Sequence, residues 1–356
     1  MQAKNTLNLN TENRPFTVLF SPLDWGLGHT TRSIPLLKSF AAKGYSLFIA
    51  CEKNSASEKI LQQAFPQAQF LPLSGYKMAY AKNPKLFALK IVLQIPKILA
   101  AIKNERKQVA KWCKQYHFDI IVSDNRYGFR NAEIKSIFIT HQLQIATPFS
   151  WLEKMVQRLN YSYINRFSEC WIPDFEGEDN IAGKLSHPKI LPKIPVKYIG
   201  LLSRLKKMDA EKKYDFLILL SGPEPQRTAL ENNFLKIKNQ FKEKVVLVRG
   251  LPKTAEQAVS SENFVIKNYC DTEELSLLIA QSEYIISRSG YSTVMDLIHL
   301  QKKAIFIPTQ GQTEQEYLAE ILMNKGLAYS FQQTENDYYA KIQAAKKFDY
   351  KISTRL

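Results

Sequence analysis

At 356 residues the chain is long enough for two domains, each able to bury its own core. Lys and Arg number 49 against 33 Asp and Glu, a formal charge of +16, which favours an anionic partner: a phosphorylated ligand, an anionic membrane surface or nucleic acid. The four cysteines, Cys51, Cys113, Cys170 and Cys270, are scattered without a CxxC pair, which argues against a zinc site or a disulfide framework and suits the reducing cytosol. The first residues, MQAKNTLNLNTENRP, lack the apolar core of a signal peptide, and no apolar run reaches the ~18 residues of a membrane span.

Short apolar runs alternate with longer helical patterns. Residues 16–20 (FTVLF), 46–50 (SLFIA), 119–122 (DIIV) and 136–140 (SIFIT) read as buried strands, with helices over 29–43 and 84–115. A second series follows. Its strands are 214–220, 244–248, 263–267, 283–287 and 303–307, and its helices 225–241, 271–281, 290–300 and 314–325. The stretch between the series, SRLKKMDAEKKY, is charged and lacks an apolar pattern. The expected fold class is therefore α/β, with two doubly wound Rossmann-like domains facing across a cleft. The predicted boundaries are a first domain over 14–202, a linker over 203–213, a second domain over 214–335 and a tail over 336–356 that packs back on the first domain.

Candidate site residues cluster where strands give way to helices. In SPLDWGLGHTTRS, residues 21–33, glycines bring the backbone close to a ligand, and the helix N-terminus beyond them favours negative charge. His29 on this turn is suited to general-base work near neutral pH; as a structural residue it would cap the helix. The turn lacks both the third glycine of a dinucleotide fingerprint and a Walker lysine. His141, in THQLQ, also sits at a strand end, whereas His117, His187 and His299 read as structural or surface residues.

The more specific constellation is SRSGYSTVMDLIHLQKKAIFIPTQGQTEQEYLAE, residues 287–320. Gly290 permits close approach, and the amides and hydroxyls of Ser289, Ser292 and Thr293 suit pyrophosphate oxygens. Asp296, one turn into the helix, is placed for ribose hydroxyls, and Gln315 and Glu316 for the hydroxyls of a sugar. Read structurally, the same Ser and Thr cap a helix whose dipole Asp296 offsets.

This stretch resembles the donor-binding region of GT-B glycosyltransferases of the family-28 type. Ser287, Arg288, Gly290, Thr293, Asp296, Pro308 and Gln315 match its pattern of S-R-x-G-x-x-T, an acid, a strand ending in proline and a Gln-bearing helix. Asp296 stands where the family more often has Glu, and Gln315-Glu316 where it has Gln-Gln or Gln-Asn. The resemblance extends to GLGHTTRS, with Gly28 on the donor side, and to Ser221-Gly222-Pro223-Glu224-Pro225 at the place of a phosphate-binding turn, where the two prolines remove amides.

The resemblance implies an inverting, metal-independent transfer of N-acetylglucosamine or another hexose from a nucleoside diphosphate sugar, with UDP as carrier, to a hydroxyl of a lipid-linked or cell-envelope acceptor. No metal or other cofactor is implied beyond this co-substrate. His29 or Asp124 would be the base, and Arg288 would steady the departing diphosphate. Arg126, Tyr127, His141 and Gln142, at strand ends of the first domain, are the acceptor-side candidates. Residues 84–107 and 149–167 mix apolar with basic residues and could lie on an anionic membrane at its cytoplasmic face; the alternative is that both are core helices with solvated basic faces. Two other functions fit the bulk features: a nucleotide-sugar epimerase of the same fold, and a basic nucleic-acid-binding protein, for which no RNA-binding motif appears.

Overall fold

A computed structural model describes residues 14–24, 26–76, 94–145, 150–251 and 260–352. Among these residues the chain forms two parallel sheets flanked by helices. The first runs β1 (Thr17–Pro22), α1 (Leu27–Ala42), β2 (Ser46–Cys51), α2 (Ala56–Ala64), β3 (Gln69–Pro72), α3 (Ile95–Gln115), β4 (Ile120–Asp124), β5 (Lys135–Ile139), α4 (Ser150–Ile164), β6 (Glu169–Ile172) and β7 (Val196–Tyr198). Its strand order is β3-β2-β1-β4-β5-β6-β7. The second runs β8 (Tyr214–Leu219), α5 (Gln226–Ile237), β9 (Val245–Val248), β10 (Phe264–Lys267), α6 (Thr272–Gln281), β11 (Ser282–Ser287), α7 (Tyr291–His299), β12 (Lys303–Phe306), α8 (Thr313–Asn324), β13 (Ala328–Ser330) and α9 (Tyr338–Lys346), in the order β10-β9-β8-β11-β12-β13.

The central strands are continuous apolar runs because helices cover both faces of each sheet. Val18, Leu19 and Phe20 are inaccessible to solvent, as are Phe216, Leu217 and Ile218 at the equivalent place in the second sheet. Full burial of each such side chain contributes about 1.5–3 kcal/mol. Strand order reverses beside β1 and β8, so the carboxyl ends of β1 and β4, and of β8 and β11, mark the switch points where such sheets bind ligands.

Two expectations about organisation are corrected. Among its described residues the tail packs on the second domain: Tyr338, Ile342 and Ala345 of α9 are buried with Phe216, Phe234 and Phe241. The stretch 203–213 is laid on the second domain rather than left loose. Leu205 enters its core, Arg204 donates to Thr272 Oγ1 at 2.8 Å, and the Lys212 ammonium donates to Ser282 O at 2.6 Å. Ile181, Ala182 and Leu185, from the segment between β6 and β7, join that same core.

The helix expected over 84–115 is α3 from Ile95 onward; residues 84–93 lie outside the described residues. It turns Ile102, Glu105, Val109 and Trp112 inward at helical spacing, which makes 95–107 a domain helix with a solvated basic face. No helix among the described residues is long and apolar enough to cross a membrane.

Candidate functional site

Two helix N-termini meet across the cleft. α1 follows the turn after β1, and α7 the turn after β11. Gly26, at φ 81°, ends the first turn in a left-handed conformation that favours glycine. Gly28, one residue inside α1, lets α7 approach closely: a Cβ there would lie 2.8 Å from Ser292 Oγ, which would have to shift. At Gly290 a Cβ would meet nothing within 4 Å, so the approach to the N-terminus of α7 is open.

The ends of these two helices are chemically distinctive. The N-termini of α2, α6 and α9 are closed by the side chains of Ser55, Asp271 and Asp337, each accepting from a first-turn amide. Those of α1 and α7 have glycine at the cap, no side-chain cap and no acid in the first turn. Their first-turn amides are therefore open to water or to an anion, and the helix dipoles favour the anion. α5 differs: Glu224 accepts from Thr228 N at 3.2 Å and pairs with Arg227 at 2.6 Å. The turn that carries Ser221 and Gly222, both exposed, thus leads into a helix end already served by a carboxylate.

Behind the α1 terminus lies a buried polar chain. His29 Nδ1 is 3.1 Å from Asp124 Oδ1, at the end of β4. Arg32, one turn along α1 on the same face, donates through Nε to Asp124 Oδ2 at 2.9 Å and makes a second, shorter bond to Oδ1. It also reaches His141 Nδ1 at 3.2 Å. Burial, followed by the Arg32 charge, lowers the His29 pKa below its ordinary 6.5 against the pull of Asp124, so the imidazole is neutral near pH 7. Burial alone would raise the Asp124 carboxyl; Arg32 and His29 overcome it and hold the group well below the ordinary carboxylate range.

On the second domain, Asp296 Oδ1 accepts from Ser203 Oγ at 2.5 Å, and burial lifts its pKa from 3.8 to about 6. Ser292 and Thr293 lie at the open terminus of α7, both partly exposed. Ser289 is buried, and its hydroxyl donates to Gln315 O at 2.7 Å. Gln315 Oε1 accepts from Thr309 N at 2.9 Å, and Glu316 Oε1 from Gly311 N at 2.9 Å. These last two side chains brace the turn before α8.

Two arginine assignments are corrected. Arg126 is fully buried, donating to Pro22 O at 2.7 Å and to Glu105 at 2.9 Å beneath the strand ends, so it is withdrawn from an acceptor. Arg288, 2% exposed, donates to the carbonyls of Ile307, Pro308 and Gln226 at 2.9–3.1 Å; it ties the end of β11 to the segment after β12 and to the start of α5 rather than facing a diphosphate. Tyr127 is likewise engaged, its hydroxyl donating to Asn160 Oδ1 at 2.8 Å.

His141 and Gln142 do reach the cleft, but onto Glu314 of α8, a residue the motif did not single out. Arg32 was also missed. Its signal, visible only in retrospect, is its position three residues after His29 on one helix face. Among the described residues no group of His, Cys, Asp and Glu is arranged to hold a metal ion.

Known proteins share this fold. The glycosyltransferase family 28 C-terminal domain matches residues 224–349. A UDP-N-acetylglucosamine–N-acetylmuramyl-(pentapeptide) pyrophosphoryl-undecaprenol N-acetylglucosamine transferase from Buchnera aphidicola is 23% identical over 324 residues, 86% of this chain and 82% of its own. The crystal structure of MurG from Acinetobacter baumannii superposes with a TM-score of 0.58 at 14% identity, over 94% of this chain and 90% of its own. The glycotransferase of kitacinnamycin superposes with a TM-score of 0.67 at 13% identity, with the same coverage of 94% and 90%. The fold, the matched second domain and the relative aligned over most of its length lead to one conclusion: the chain is a glycosyltransferase of the GT-B fold whose second domain is similar to the family 28 C-terminal domain.

Proposed function

We propose that this glycosyltransferase is inverting and metal-independent, and that it moves N-acetylglucosamine or a related hexose from a UDP-sugar to a hydroxyl of a lipid-linked acceptor. The observation that carries the reading is the pair of facing, uncapped helix N-termini at Gly28 and Ser292. Amides at the ends of α1 and α7 supply the positive potential that a diphosphate leaving group requires. Asp296, partly exposed with a costly buried charge, is offered to the ribose hydroxyls.

In this reading Asp124 is not the base but its partner. It is 1% exposed, ionised and occupied by Arg32. Accepting from His29 Nδ1–H, it leaves the lone pair on Nε2 to take the acceptor proton, and it stabilises the imidazolium that forms. The acceptor oxygen bonds to C1 of the sugar as the bond from C1 to the diphosphate oxygen breaks on the opposite face. The electron pair leaves with the nucleoside diphosphate.

A lipid-linked acceptor fits both the Buchnera relative, named for a pyrophosphoryl-undecaprenol acceptor, and the surface of the first domain. Met155 and Leu159 stand one turn apart on α4, 57% and 55% exposed. Ile190 and Leu191, 68% and 47% exposed, are tied to the same helix by Tyr161, whose hydroxyl donates to Ile190 O at 2.6 Å. Lys154, Arg158, Lys189 and Lys193 are the exposed basic residues nearest in sequence. Exposed apolar side chains flanked in sequence by cations suit the inner face of the cytoplasmic membrane. Sedimentation with anionic liposomes at low salt tests this part: binding lost in Met155→Glu/Ile190→Glu supports it, and no binding by the wild type defeats it.

The donor site is tested by thermal shift with UDP, GDP, ADP and dTDP. A ligand at about 100 times its Kd stabilises by about 2.7 kcal/mol. A shift with UDP that is lost in Asp296→Ala is the expected result, and no shift with any nucleotide would remove the reading's main support.

A further inference from the structure

A cavity of about 600 Å³ opens beside the residues that lead into β8, β11 and β12, at the end of the second sheet opposite the cleft. Its wall is the stretch 206–212, and Lys206, Lys207, Lys212 and Lys302 line it. Ile279 and Leu300, both buried, make part of its surface apolar. The volume falls in the range of small-molecule sites, about 300–1,000 Å³.

Helix capping accounts for only part of the charge gathered here. The Lys212 ammonium donates to Ala280 O at 3.1 Å and to Ser282 O at 2.6 Å, and the Lys302 ammonium donates to the same Ala280 O at 3.4 Å. Ala280 lies in the last turn of α6, whose dipole places about half a negative charge there. Two full positive charges therefore converge on half a negative one. Glu283 does not restore the balance, because it holds Lys303 at 2.5 Å and lies 3.9 Å from Lys212. Asp209 and Glu211 also line the cavity, but both are exposed, and among the described residues neither forms an ion pair. Lys207 is turned onto Gln301 Oε1 at 3.0 Å. Burial and the adjacent Lys212, then Lys207, lower the Lys302 pKa from 10.5 to about 8 against the pull of Glu283.

We propose that this cavity is a second anion site, separate from the cleft, in which Lys212 and Lys302 hold the phosphate group of an ester. Ammonium groups act as point donors, and no arginine lines the cavity to match a planar carboxylate with a guanidinium fork, so a tetrahedral oxyanion is the better fit. The body of the ester lies against Ile279 and Leu300. A phosphate brought to Lys302 supplies the missing negative charge and returns the ammonium toward its ordinary pKa. The site is at the opposite strand ends from the N-termini of α1 and α7, so it stands independently of the donor reading.

Competitive acetylation of the full chain decides the matter, with trace acetic anhydride near pH 8 and mass spectrometry of each lysine. The reagent attacks only neutral amines. In chloride buffer Lys302, although partly buried, is labelled faster than the exposed Lys236. Inorganic phosphate, compared with chloride at equal ionic strength, slows labelling of Lys302 about tenfold, since recovery of one pKa unit removes that share of the neutral amine, and leaves Lys236 unchanged. Phenyl phosphate does the same at lower concentration, through its contact with the apolar residues. Vesicles of phosphatidylglycerol separate the two sources of such a group: protection by vesicles alone assigns the phosphate to a lipid headgroup, and protection by the free compounds assigns it to a soluble ester. Lys212→Met slows labelling of Lys302 by removing the adjacent charge, abolishes the protection by phosphate, and leaves UDP affinity unchanged. Equal labelling of Lys302 with and without every one of these phosphates would overturn the proposal, as would protection that survives in Lys212→Met.

Discussion

Asp296 offers the clearest separation of stability from function. Its carboxyl pKa rises from 3.8 to about 6 in the folded protein, chiefly through burial, while the unfolded chain keeps an ordinary value near ~3.9. The folded state therefore binds this proton more tightly, and stability falls as pH rises between those two values. Above them the ionised group costs at most about 3 kcal/mol, at about 1.4 kcal/mol per tenfold in proton affinity, an upper bound because the side chain keeps partial contact with water. Asp296→Asn removes that charge and retains an acceptor for Ser203 Oγ. Urea denaturation at pH 8 should show the variant more stable than the wild type, with the gain shrinking toward pH 4. The same substitution should weaken UDP binding by the value of a hydrogen bond to a charged group, about 1.5–3 kcal/mol. A variant destabilised at pH 8, or one whose stability change is the same at both pH values, would refute the reasoning.

His29→Ala should lower transfer by about 10²–10⁴ while leaving UDP affinity unchanged. Because burial and Arg32 depress the His29 pKa, and the base must be unprotonated, the wild-type rate should fall only as pH drops through a value under 6.5; an acid limb above pH 7 would contradict this. Asp124→Ala should cost about 3–5 kcal/mol by leaving buried Arg32 without its carboxylate. The folded pKa of Asp124 is depressed, so the stabilisation it provides is complete above its ordinary range and disappears as pH falls through the folded value; denaturation curves in acid should show the gap closing. Arg288→Met should lower the unfolding midpoint, since the buried carbonyls of Ile307 and Pro308 and the part-buried one of Gln226 lose their donor, and leave the UDP affinity of the folded fraction intact. A selective loss of UDP affinity, measured by calorimetry, would return Arg288 to the diphosphate.

The central strands were legible because burial on both faces leaves an unmistakable apolar run. β3 (QFLP), β6 (ECWI), β7 (VKY) and β13 (AYS) were not, being three or four residues long and mixed in character. α2, with the sequence ASEKILQQA, is only 9 residues long and buries only Leu61, too short an amphipathic run to stand out. The closeness of His29 and Asp124 was legible because one stands in the first turn of the helix after β1 and the other ends β4, the neighbouring strand. The part played by Arg32 and Glu314 was not, since it arises from the meeting of residues on different elements, and for Glu314 on different domains. Arg126 and Arg288 were misread for a physical reason. An arginine just after a strand can reach outward to a ligand or curl beneath the strand ends onto loop carbonyls, and its position in the sequence is the same in both cases.

The central claim is that a nucleoside diphosphate lies between the N-termini of α1 and α7. A crystal structure with UDP bound tests it most directly. The account predicts phosphate oxygens within hydrogen-bond distance of the first-turn amides of α7, beside Ser292 and facing Gly28, with the ribose on Asp296. Phosphates held instead at the turn of Ser221 and Gly222, with the α1–α7 junction unchanged, would contradict it.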